Sequence, residues 1–173
     1  MKKVLFPILA LVLALALALP AAAHTEEVPQ YNVLLAGQTM PVGNVTVWNN
    51  STHLIVTYNI TDADWVINAT HMHVSDDCVD GFPQTRKGNP KVGHFDYSTD
   101  NPGGVTTVMY TIPLGGWGPG TDLCIAAQAE VFAALLLDPD TGEPGREETA
   151  WAEGTGFPWK NWAMYFPYEV QGE

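Results

Sequence analysis

Hydrophobic and polar residues alternate along most of this chain rather than recurring at helical spacing. The alternation is clearest in Val42–Trp48 and His53–Ile60, which flank Asn49-Asn50-Ser51-Thr52, the signature of a β-hairpin. Tyr31–Ala36 reads as a shorter strand before them, and Asp62-Ala63-Asp64 as a turn after them. The chain then enters Trp65–Ser75, the longest β-like run without Gly or Pro in its first half. Strict alternation places Trp65, Ile67, Ala69, His71 and His73 on one face, and Val66, Asn68, Thr70, Met72 and Val74 on the other. Trp65 and Ile67 are large and apolar, so their face is predicted to look into the core, with Asn68 outward.

Ser75–Gly104 shows no period and reads as a long irregular stretch. Val105–Ile112 is a further strand, stopped by Pro113, and Gly115-Gly116-Trp117-Gly118-Pro119-Gly120 is a turn with an aromatic at its tip. Asp122–Leu137 is ambiguous. Its alanines and leucines favour helix, but Leu123-Cys124-Ile125 is strand-like, and the stretch is read as strand to about Phe132. Asp138–Gly145 is a turn-rich excursion, and an aromatic stretch closes the chain in a strand through Val170. About seven to eight strands with many Gly/Pro turns predict an all-β fold, an antiparallel β-sandwich of immunoglobulin-like or jelly-roll-like type.

Composition sets the compartment. Lys2 and Lys3, the apolar run Val4–Leu19 and Pro20-Ala21-Ala22-Ala23 form a secretory signal with a small-residue cleavage site, so residues 24–173 are expected to be a single mature domain. The mature chain then keeps five Lys and Arg against 19 Asp and Glu, a net charge of −14. Such a surface repels phosphate backbones, which excludes nucleic acid as an expected partner, and no later stretch is apolar enough to span a membrane. Cys78 and Cys124, in an exported chain, are expected to form a disulfide. A secreted, extracellular or cell-surface location follows, periplasmic in a Gram-negative source.

Several segments together resemble a widespread group of small secreted or surface β-domains from bacteria and archaea with no settled activity. They are Val42–Trp48, Thr70-His71-Met72-His73-Val74, Gly88-Asn89-Pro90 through Tyr97, Tyr110–Leu114, Ile125-Ala126-Ala127, Glu148-Thr149-Ala150-Trp151 and Asn161-Trp162-Ala163 through Phe166. The resemblance implies fold and location but no mechanism. The group's pattern often carries His where this chain has Gln128, which weakens any site built on that position.

Candidate chemistry is sparse. His71 and His73 could be metal ligands, or could cap hydrogen bonds at the end of a half-buried strand. Cleavage after Ala23 would make His24 the terminal residue, whose amine and ring could chelate copper with a third nitrogen from His71, His73 or His94. Asp76, Asp77 and Asp80, or Asp138, Asp140 and Glu143, could collect oxygen ligands for calcium, although solvated acidic turns are the simpler reading. Trp117 and Trp159 could stack on glycans. N-glycosylation sequons begin at Asn44, Asn49, Asn50, Asn59 and Asn68. Catalytic templates such as Gly-x-Ser-x-Gly and His-Glu-x-x-His are missing. The expectation is a non-catalytic binding or structural protein whose partner is a polysaccharide or a cell-surface protein. A copper-binding or copper-dependent oxidative protein is one alternative, and a carbohydrate-binding module another.

Overall fold

The computed structural model describes residues 24–138, 140–142, 144–158 and 161–172. The expected signal segment, Glu143 and Trp159 lie outside the described residues. The chain is antiparallel β-structure with a single 3-10 turn, Val92–His94, among the described residues. No helix there is long and apolar enough to cross a membrane.

The strands are β1 (Gln30–Ala36), β2 (Met40–Asn49), β3 (His53–Ile60), β4 (Val66–Ser75), β5 (Tyr97–Val105), β6 (Thr107–Pro113), β7 (Asp122–Leu137), β8 (Pro144–Ala152), β9 (Thr155–Gly156) and β10 (Met164–Glu169). They form one sheet in the order β5-β4-β7-β8-β1-β2-β3-β6, with β10 on β7 beside β8. This sheet curls until its ends meet. β5 and β6 are consecutive strands separated only by Thr106, whose carbonyl accepts the Ile60 amide at 2.8 Å. Tyr110 Oη on β6 lies 3.0 Å from Thr99 Oγ1 on β5 and 2.6 Å from Thr70 Oγ1 on β4. The result is a nearly closed barrel, consistent with the sandwich-like all-β fold expected.

Two apolar clusters lie on the two faces of the β4–β7–β8 region. The main core inside the barrel holds Leu34, Val45, Val56, Tyr58, Ile67, Met72, Ile125, Phe166 and Tyr168. A second cluster on the outer face holds Phe82, Phe95, Cys124, Ala126, Trp151, Phe157 and Ala163. Its cover comes from the stretch between β4 and β5 and from the segment before β10, and the Cys78–Cys124 disulfide ties that cover to β7.

This second cluster explains the ambiguity of β7. From Leu123 to Ala129 every residue is buried, so alternation vanishes, and alanine is what fits between two packed layers. Strand order therefore overrides helix propensity, and β7 continues past Phe132 to Leu137. The irregular reading of Ser75–Gly104 needs a similar correction, because Tyr97–Val105 is the edge strand β5. Its alternating neighbours are half-buried polar residues, which leave little periodic signal. The turn-rich excursion is likewise shorter than expected, since Pro144–Ala152 is β8.

The expected facing of β4 holds for only half of the strand. Ile67 pairs with Val131 and Ala69 with Glu130, so Asn68 is the extra residue of a β-bulge. Trp65 and Ile67 point into the main core as expected. Beyond the bulge the period is inverted: Met72 and Val74 enter the main core, and His73 is turned into the outer cluster between Phe82 and Phe95.

Candidate functional site

A cleft of ≈ 590 Å³ opens at one end of the barrel and is lined by Asn50, Ser51, Thr52, Leu114, Gly115, Gly116, Trp117, Gly118, Pro119, Val170 and Gln171. Strand register builds it. β3 and β6 pair as far as His53 and Pro113, which brings the β2–β3 turn against the glycine-rich β6–β7 loop, and the Leu114 amide donates to Thr52 O at 2.9 Å. The loop is two tight turns. Trp117 N donates to Leu114 O, with Gly115 at φ 57°, and Thr121 N donates to Gly118 O, with Gly120 at φ 81°. Both angles fall where side-chain-bearing residues are strained, so glycine is required there. Trp117 is half-buried; it packs on the main core and still forms part of the cleft wall.

Behind the cleft is a buried polar latch. Asn49 Oδ1 accepts from Tyr168 Oη at 2.6 Å and from the Gln171 amide at 2.8 Å, and its Nδ2 donates to the carbonyls of Asn50 and Gln171. Burial raises the Tyr168 phenol to a pKa of about 12. The latch fixes the chain end that contributes Val170 and Gln171 to the cleft. It also occupies the Asn49 side chain fully, and Asn44 is buried, so of these three sequons only that of exposed Asn50 presents its side chain to solvent.

The histidines are not assembled. His24 lies against Tyr168, a main-core residue at the barrel's end, with ring centroids 6.0 Å apart. His73 projects from the opposite, outer face of the sheet, where Nε2 is 2.9 Å from Gly81 O and Nδ1 is 3.3 Å from Asp96 Oδ2. Gly81 has to be glycine, since an added Cβ would overlap Ser75 Oγ. His71 is half-buried on the same outer face, beside Ser98 and Gln128, and His94 is exposed on the 3-10 turn. Only His71 and His73 share a face, and among the described residues no three His, Cys, Asp or Glu side chains gather as a metal site. The copper set His24, His71, His73 and His94 is thus not gathered into a ligand group among the described residues. Gln128, where the resembled pattern often carries His, is buried with its Oε1 unpartnered among the described residues.

The acidic turns satisfy themselves. Asp77 Oδ1 accepts the amides of Val79 and Asp80, and Asp138 Oδ1 those of Asp140 and Thr141. These backbone donors hold both carboxyls below the usual aspartate range. Both are Asx turns, and Glu143 and Trp159 lie outside the described residues. Comparison with family models, with curated proteins and with solved structures found no match to this chain.

Proposed function

We propose that this chain is an exported β-sandwich that works by binding, and that the cleft beside Trp117 takes a neutral carbohydrate. The carrying observation is the lining of that cleft: an indole, the amides of Asn50 and Gln171, the hydroxyls of Ser51 and Thr52, and no charged side chain. An apolar ring flanked by a few oriented donors and acceptors suits a polyol that offers a C–H face and a rim of hydroxyls. Export is supported by the disulfide and the apolar start of the chain. The resemblance to small secreted β-domains supports the same location. The copper alternative draws no support from the positions of the histidines.

Affinity electrophoresis against a panel of soluble neutral polysaccharides tests the reading. At least one should retard the wild type, and Trp117→Ala should weaken that retention about tenfold or more, equivalent to roughly 1.4 kcal/mol. Unretarded wild type across the panel, or unchanged retention of the variant, would reject it.

A further inference from the structure

Positive charge is scarce in the mature chain and unevenly placed. Its five cations are Arg86, Lys87, Lys91, Arg146 and Lys160. Arg146 is bound to Glu148 at 2.7 Å, and Lys160 lies outside the described residues. The other three sit on one short hairpin, exposed and without an ion pair among the described residues. In that hairpin Gln84 bridges Pro90, and Gly88 N donates to Thr85 O at 2.9 Å, which makes Arg86 and Lys87 the central residues of a tight turn. The hairpin is held from below. Asn161 Nδ2 donates to Asn89 Oδ1 at 2.7 Å, and neighbouring Phe82 is buried in the outer cluster that the disulfide pins. Two cations on a rigid turn lose little freedom on binding.

The same outer face carries the complementary feature. A shallow cleft of ≈ 340 Å³ lies beside the Asn68 bulge, lined by Asn68, Glu130, Val131, Glu147, Glu148 and Thr149. Glu148 is occupied by Arg146, whereas Glu130 and Glu147 are exposed and without an ion pair among the described residues. Glu130 lies six residues along β7 from Cys124, where the cover carrying the hairpin is tied down, or about 20 Å at ~3.3 Å per residue. Among the described residues no ion pair joins the two groups within a molecule.

We propose that the Arg86/Lys87 turn of one molecule docks in the Glu130/Glu147 cleft of a second copy, so that the protein self-associates head to tail. A net charge of −14 otherwise keeps copies apart, and this turn is the one described place where a like-charged copy meets opposite charge. The contact joins two different surfaces, so it propagates into rings or filaments rather than closing as a two-fold dimer. It is independent of the Trp117 cleft.

Sedimentation velocity over a concentration series tests the proposal at about 0.01 M salt, where charges act over roughly 30 Å, and at about 1 M, where they act over roughly 3 Å. The wild type should associate at low salt and separate at high salt. Arg86→Glu/Lys87→Glu and Glu130→Lys/Glu147→Lys should each weaken association about tenfold or more. An equimolar mixture of the two variants should associate again, because an acidic turn now meets a basic cleft; that recovery also shows both to be folded. Mixing Arg86→Glu/Lys87→Glu with the same variant carrying Glu26→Lys/Glu27→Lys as well should give no such recovery, because neither partner then offers a basic turn or a basic cleft. Wild type that stays monomeric at low salt, or a mixture that fails to recover, overturns the proposal. So does a monomeric wild type retained on immobilised heparin through the Arg86/Lys87 turn, which would assign that turn to an anionic glycan.

Discussion

Removing the disulfide with Cys78→Ala/Cys124→Ala should destabilise the protein by an amount that the structure bounds. The bridge spans a sequence separation of 46 residues, for which the chain-entropy relation gives about 4 kcal/mol. For a domain of this size that is a fall in melting temperature of roughly 8–16 °C. In urea, with a slope near ~2 kcal/mol per molar, it is a midpoint shift of about 2 M. Alanine leaves no buried thiol in the outer cluster, so the lost closure is not confused with a new polar group. The loss should also be local before it is global. Phe82 and Phe95 are held over β7 by a cover whose tether is the bridge, so amide exchange across residues 78–95 should accelerate while β2 and β3 stay protected. Equilibrium urea unfolding followed by tryptophan fluorescence, with hydrogen exchange beside it, makes the measurement. A midpoint shift under about 0.5 M would refute the closure argument, and uniform exchange would refute the local one. Labelling of the denatured, unreduced wild type should find no free thiol.

Deleting Asn68 removes the extra residue and leaves Ile67, Met72 and Val74 facing the main core in simple alternation, so the variant should keep cooperative thermal unfolding; loss of a cooperative melt would contradict the reading of Asn68 as the bulged residue. Asn49→Ala strips the partner from the buried Tyr168 hydroxyl and should cost about 1–3 kcal/mol in urea unfolding, whereas exposed Asn50→Gln should cost far less. The raised phenol also sets a pH dependence. Folded Tyr168 keeps its proton to about 12 while the unfolded side chain releases it near 10.0, so its contribution is complete below pH 10 and lost as pH rises toward 12. Buried Tyr58 shifts in the same direction through desolvation. Urea midpoints taken from about pH 8 to 12 should fall on the alkaline side, less steeply in Tyr168→Phe, and a flat profile would argue against both burials.

Local patterning determined much of this protein. The Val42–Ile60 hairpin, the all-β class and the pairing of Cys78 with Cys124 follow from alternation, turn residues and compartment, because each needs only neighbours in sequence or a count of two. Trp117 was legible for the same reason, as an aromatic on a glycine-rich tip. Its partners were not: Asn50, Thr52 and Gln171 come to it through the β3–β6 register and the Asn49–Tyr168 latch, contacts between distant segments. Tertiary structure also decided the facing of β4, since a single bulged residue inverts every side chain after it and leaves no mark in composition. His71 and His73 do share a face, but alternation carried through Asn68 unbroken put that face toward the core instead of outward. Packing on both faces of β7 erased its period and left an alanine-rich run that reads equally as helix. The fold then put His24 against Tyr168 and His73 between Phe82 and Phe95, and no spacing along the chain encodes which side of a curled sheet a residue will face.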